Sequence, residues 1–80
     1  LNSNSFSLKE VAYNNIVISA TGYEEISKPS GAVFAIIADF GNVSTKDAIN
    51  IVVGHNDVAY LLGTAGATVT QLYVLYFLKK

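Results

Sequence analysis

The chain has 80 residues, a mass of 8.5 kDa and a formal net charge of −1. That is the size of one domain, and it contains neither cysteine nor arginine. Disulfides, thiolate metal sites and the basic surface of a nucleic-acid binder are thereby excluded. Charged residues are only 14% of the chain, against a usual ~25%. A body this small is mostly surface, so such a chain cannot coat itself with charge. Part of its surface is expected to lie against other copies, the remaining route to stability for a small domain without staples.

No membrane insertion is expected. The longest apolar runs, Ala32–Ala38 and Leu72–Leu78, fall far short of the ~20 residues a spanning helix needs. The polar stretch Leu1–Ser5 has no basic region, so it reads as a tail or a junction to a preceding module rather than a signal peptide. The start at Leu1 reads as a processed product or an excised domain. Residues 6–80 read as one unit.

Ile, Val and Thr occupy 21 of the 80 positions, and their stiff χ1 suits pleated strands. Turn residues recur at short intervals, the rhythm of an all-β sandwich or barrel. Six strands are predicted. The first is Phe6–Tyr13, where Phe6 and Leu8 alternate with Ser7 and Lys9, and Asn14-Asn15 then reads as a turn. The second is Ile16–Ala20, with Ile16 and Ile18 inward. The third is Ala32–Phe40. The fourth is Ala48–Val53, with Ile49, Ile51 and Val53 on one face. Gly54–Asp57 makes a tight hairpin, with Asn56 or Gly54 able to take positive φ. The fifth strand is Val58–Leu62. Gly63–Ala67 is a flexible loop with no Lys-Ser/Thr after it, so it is not a phosphate-binding loop. The sixth strand is Thr68–Lys79.

Two segments also carry helix signals. Pro29-Ser30 and Gly41 bracket Ala32–Phe40, and Ser44–Asp47 could cap a helix running to Leu62. Asp39 opposes the first helix through the macrodipole. Four β-branched residues in Ile49–Val53, with Gly54 behind them, oppose the second.

Strands three and six break alternation. Val33, Ala35 and Ile37 share one parity; Phe34, Ile36 and Phe40 share the other. In Leu72–Leu78 both parities are again apolar. A strand dry on both faces is covered on both. One core covers one face, so the second face is expected to meet a neighbouring copy. The interface residues are then Phe34, Ile36, Tyr73, Leu75 and Phe77. Pattern alone does not choose three copies over two.

Catalytic chemistry finds no foothold. His55 is the only imidazole, and its neighbour Asp57 shares the same tight turn; a solvated hairpin tip is the plain reading. Glu24 and Glu25 point to opposite sides of an extended segment, so no carboxylate pair is selected. No enzyme activity, metal or cofactor is expected. Asn42-Val43-Ser44 fits a glycosylation acceptor, a pattern that also arises by chance. Tyrosine offers a flat apolar face with a hydroxyl, suited to stacking on a sugar or anchoring a protein. Tyr13, Tyr23 and Tyr60 fall near strand ends or loops, whereas Tyr73 and Tyr76 read as packing residues.

The Gly63–Ala67 turn leading into Thr68–Lys80, an apolar strand finishing on lysine, resembles the C-terminal receptor-binding tip of tailed-bacteriophage tail fibres. Tyr23–Val33, as a loop into a central strand, and the Ala48–Leu62 hairpin fit the same rhythm. The resemblance lies in spacing across most of the chain and in no single motif. It implies a small antiparallel β-sandwich assembling as a homotrimer at the distal end of a virion's tail fibre, fed by an upstream shaft. Such a tip recognises a host cell-surface glycan or protein. It fixes no binding residues; Tyr23, Asn42, His55, Asn56, Asp57 and Tyr60 are candidates by loop position and chemistry. Two rival readings are a trimerisation cap of a fibrous protein with no receptor contact, and a monomeric carbohydrate-binding module.

Overall fold

The computed structural model describes residues 5–44 and 49–80. The described residues form six strands and no helix: β1 (Phe6–Val17), β2 (Tyr23–Ser27), β3 (Ala32–Val43), β4 (Asn50–Val53), β5 (Val58–Leu62) and β6 (Thr68–Lys79). Two three-stranded sheets result, in the orders β1-β6-β3 and β2-β5-β4. Every pairing is antiparallel.

The sixth strand is central because its sequence is apolar on both parities. Leu72, Val74 and Tyr76 are completely buried on one face, whereas Tyr73, Leu75 and Phe77 are half-buried on the other. The more polar β1 takes an edge, paired from Phe6↔Lys79 to Val17↔Thr68. Both sheets contribute to one core. Tyr13, Val69, Leu72, Val74 and Tyr76 come from the first sheet, and Ile26, Ile51, Ala59 and Leu61 from the second. At the β1–β2 flank, the Tyr13 hydroxyl donates to the Ser27 carbonyl oxygen at 2.5 Å. Its oxygen lies 2.5 Å from the Tyr76 hydroxyl. A carbonyl can only accept, so Tyr13 spends its proton on Ser27 and Tyr76 donates to Tyr13.

The turns follow their residue chemistry. Gly31 at φ 84° and Gly66 at φ 85° occupy the third position of turns closed by Ala32 N–H to Pro29 O and Ala67 N–H to Thr64 O. That position of a type II turn requires positive φ. Asn56, at φ 58°, supplies the left-handed residue of the β4–β5 hairpin, which Gly54 N–H closes onto Val58 O at 2.9 Å.

Several boundaries differ from the sequence reading. Asn14-Asn15 is no turn: β1 continues through it to Val17, with Asn15 at φ 59° inside the strand. The expected second strand, Ile16–Ala20, is therefore absent as a separate element. Ile16 and Val17 end β1, while Ile18 is buried in the connection that follows. The actual second strand is Tyr23–Ser27, within the Tyr23–Val33 segment that the tail-fibre resemblance implied to be a loop. Both helical alternatives give way to strands where described: Ala32–Phe40 lies in β3, and Asn50–Leu62 holds β4, β5 and their hairpin. Residues 45–48, including the expected start of the fourth strand at Ala48, lie outside the described residues, as do residues 1–4 of the expected tail. β3 runs on through Gly41-Asn42 to Val43, with register shifts between Ala32 and Phe34 and between Ile37 and Asp39. These shifts break parity. Val33 is exposed although Ala35 is buried, and Phe40 packs on the core rather than sharing the face of Phe34 and Ile36.

Candidate functional site

Two exposed surfaces stand out, one on each sheet. On the β1-β6-β3 sheet, cross-strand register aligns Leu8, Phe77 and Phe34 in one row and Glu10, Leu75 and Ile36 in the next. Phe77 meets Phe6 edge-on at 6.2 Å and Phe34 at 5.5 Å. Leu8, Phe34 and Ile36 are 51%, 44% and 41% exposed. Large apolar side chains in contact yet facing out form a contiguous patch, not the scattered singles that any surface carries. All five residues expected at an interface, Phe34, Ile36, Tyr73, Leu75 and Phe77, fall on this face. Leu8 and Phe6 join them, because the register of β1 with β6 places their parity on the face of Leu75 and Phe77. The face turns polar toward its other end, where Asn14, Gln71 and Asn42 align across the three strands.

On the β2-β5-β4 sheet, register puts Tyr23 beside Leu62, and Glu25, Tyr60 and Val52 in a row. The Tyr23 and Tyr60 rings meet edge-to-face at 5.7 Å and 82°. With Val52 and Leu62 they line an open depression of about 290 Å³. Glu25 is exposed beside it, and Asn50, in register with Leu62, directs its Oδ1 to the Ile51 N–H at 2.8 Å. The depression thus offers an apolar floor, an aromatic wall and a nearby carboxylate.

The six candidate recognition residues do not converge. Tyr23 and Tyr60 come together, but as strand residues on a sheet face, not loop residues. His55, Asn56 and Asp57 are exposed on the β4–β5 turn. That turn lies at the Ser27–Lys28 end of β2, where Asp57 O accepts from Lys28 N–H. The Tyr23 end of the depression is the opposite end of the same strand. Asn42 belongs to β3 on the other sheet. Tyr13, expected near the surface, is buried and holds the flank together. Among the described residues, no three His, Asp or Glu side chains gather as a metal site would require.

The titration of Tyr13 and Tyr76 follows from their burial. Desolvation pushes both hydroxyls above the ordinary tyrosine range. For Tyr13 the hydrogen bond from Tyr76 works against the rise. For Tyr76, which must give up the donated proton, the same bond adds to it.

Compared with protein-family models, curated proteins and solved structures, the chain finds no match.

Proposed function

We propose that the protein is a non-enzymatic recognition module that works as a self-assembled particle. The two sheets form a β-sandwich, three copies associate through the outer face of the β1-β6-β3 sheet, and a host cell-surface receptor, a saccharide in this reading, is bound at the tyrosine-lined depression. The resemblance of Gly63–Lys80 to tail-fibre tips makes this a receptor-binding tip at the distal end of a virion's fibre, carried by an upstream shaft. The observation that carries the reading is the segregation of the exposed surface. Phe6, Leu8, Phe34, Ile36, Leu75 and Phe77 gather on one sheet's outer face, while the exposed tyrosine pair sits on the other sheet. Burying the first surface between copies leaves the second free.

The competing role, an assembly cap without a receptor, uses the same apolar face and makes no use of the tyrosines. Removing Leu72–Lys80 does not separate the two, because β6 is the middle strand of its sheet and its loss unfolds the domain. Tyr23→Ala does separate them, since Tyr23 is 47% exposed and its truncation leaves the core intact. Light scattering should give three chains per particle for both parent and variant. In an adsorption-blocking assay on host cells, the parent should block and Tyr23→Ala should not. A blocking variant, or a parent that binds no cell, removes the receptor role. A parent that runs as one chain removes the assembly.

A further inference from the structure

The recess on the β3–β4 flank, where Phe34 turns from the outer face, is lined by apolar side chains alone and selects no ligand chemistry. The depression on the β2-β5-β4 sheet differs. Val52 and Leu62 give it an apolar floor, the Tyr23 and Tyr60 rings wall it, and a carboxylate stands on the same outer face. Glu25 lies two residues from Tyr23 and opposite Tyr60 in the register of β2 with β5. Strand alternation therefore sets it beside both rings. Glu24 has the other parity, with the buried Ile26. No cation answers Glu25 from these strands: β2, β4 and β5 hold two carboxylates and neither Lys nor Arg. Lys28 follows just past β2, at the end away from Tyr23, and is buried. Lys9 and Lys79 belong to the other sheet.

The two rings meet at 82°, so two aromatic faces stand nearly at right angles around the space they share. A ring face carries the negative part of the quadrupole and attracts a cation within about 6 Å of the centroid. The two centroids are 5.7 Å apart, so one small cation between them is within reach of both. Glu25 adds a full negative charge beside them. The floor then decides which cation. A primary ammonium is strongly hydrated and brings three N–H donors, which the side chains of Val52 and Leu62 cannot satisfy. A quaternary ammonium has no N–H to satisfy. Its methyl groups bury against the floor while its charge meets the rings and the carboxylate. The volume of about 290 Å³ lies at the lower end of the ~300–1,000 Å³ usual for ligand pockets and suits a headgroup of that size. We propose that the tyrosine depression binds a trimethylammonium group, as in choline, carried by the receptor saccharide. This inference rests on the receptor reading above and names the feature of the saccharide that the site reads. An anionic sugar would set its charge against Glu25.

The test is a titration followed on the Tyr23 and Tyr60 ring protons by NMR at constant ionic strength. The probes are choline chloride, its uncharged carbon isostere dimethylbutanol, and galactose. Choline should bind saturably and at least ~5-fold more tightly than the isostere, as two ring faces and a carboxylate together predict. Glu25 and Tyr23 are exposed, so variants at both should fold. Glu25→Gln should weaken choline and leave the isostere unchanged. Tyr23→Ala should abolish the response at Tyr60, and Tyr23→Phe, which keeps the ring, should preserve it. An isostere that binds as well as choline overturns the cation site, as does a chain that binds none of the three probes. Galactose binding without choline binding also overturns it, yet leaves the saccharide reading standing. Choline binding by a protein whose Tyr23→Ala variant still blocks adsorption upholds the cation site and removes the receptor role. Phosphatidylcholine vesicles present the same group and should not sediment the protein; if they do, the carrier is a lipid headgroup and the saccharide is overturned as its source.

Discussion

Replacing Tyr13 by Phe should destabilise the fold more than replacing Tyr76, and replacing both should cost less than replacing Tyr13 alone. The expectation comes from the direction of the relay, in which Tyr76 donates to Tyr13 and Tyr13 donates to Ser27 O. Tyr76→Phe removes one donor and leaves Tyr13 still donating to Ser27, a loss of about 1 kcal/mol, the net worth of an ordinary hydrogen bond. Tyr13→Phe removes the bond to Ser27 and also strands the Tyr76 hydroxyl, whose residue is completely buried. An unsatisfied buried hydroxyl adds a desolvation penalty of about 1–3 kcal/mol, so the single change should cost roughly 2–4 kcal/mol. In the double variant no hydroxyl is stranded, and part of that loss is recovered. For a domain of this size each kcal/mol moves the melting temperature by about 4–8 °C, so the order is readable by far-ultraviolet circular dichroism. Protein concentration must be held fixed, because association adds to apparent stability. If Tyr13→Phe costs no more than Tyr76→Phe, or if the two losses simply add, the donor assignment is wrong.

The same pair sets an alkaline limit. Both hydroxyls are raised above their unfolded value, so above pH ~10 the unfolded chain releases protons that the folded one retains, and stability falls as pH rises, by up to about 1.4 kcal/mol per pH unit per tyrosine. Urea midpoints between pH 9 and 11 should decline, and the Tyr13→Phe/Tyr76→Phe variant should decline less. Phe34→Asp places a charge where the outer face meets the flank. It should weaken self-association at least ~30-fold, as expected when a contact worth about 2 kcal/mol is lost, while the circular dichroism spectrum is kept; unchanged light scattering would exonerate that face. Gly54→Ala would put a Cβ 2.7 Å from Tyr60 Cε2 and 3.1 Å from the Val58 carbonyl oxygen. Such overpacking should cost about 1–3 kcal/mol and displace the Tyr60 ring, which NMR of the ring protons should register together with a loss of receptor binding.

The sequence exposed the fold wherever a strand carried apolar residues at a clear period. Val58–Leu62 and Thr68–Lys79 appear with the boundaries expected of them. The doubly apolar character of β6 goes with its place as the middle strand of its sheet, fully buried on the core face and half-buried on the other. β2 was missed because Tyr23, Glu25 and Ser27 face outward and Ile26 is its only buried residue, which leaves period two almost no hydrophobic contrast to act on. Asn14-Asn15 misled in the opposite sense. A turn signal is local, and pairing with β6 on both sides of it outweighed a single left-handed residue. On β3 the register shifts, invisible in a one-dimensional pattern, moved Val33 to the surface and Phe40 to the core. The tyrosine pair was half legible. Both residues were singled out for their chemistry, but only the register of β2 with β5 puts Tyr23 within reach of Tyr60. A cleft of about 270 Å³ between β3 and β4 had no signal at all, because it belongs to two edges that the chain brings together without bonding them.

The position of β6 between β1 and β3 dictates an order of events during synthesis. The β4–β5 hairpin can zip up from its own turn, and β2 can dock on it soon afterwards. β1 and β3, although made early, have no mate until the sixth strand leaves the ribosome, and the Tyr13–Tyr76 link spans 63 positions of chain. Long-range pairing of this sort is slow. Throughout that delay the nascent polypeptide displays two unmated ribbons, one of them rich in Phe, Ile and Val, and neighbours on the same messenger are the first bodies they meet.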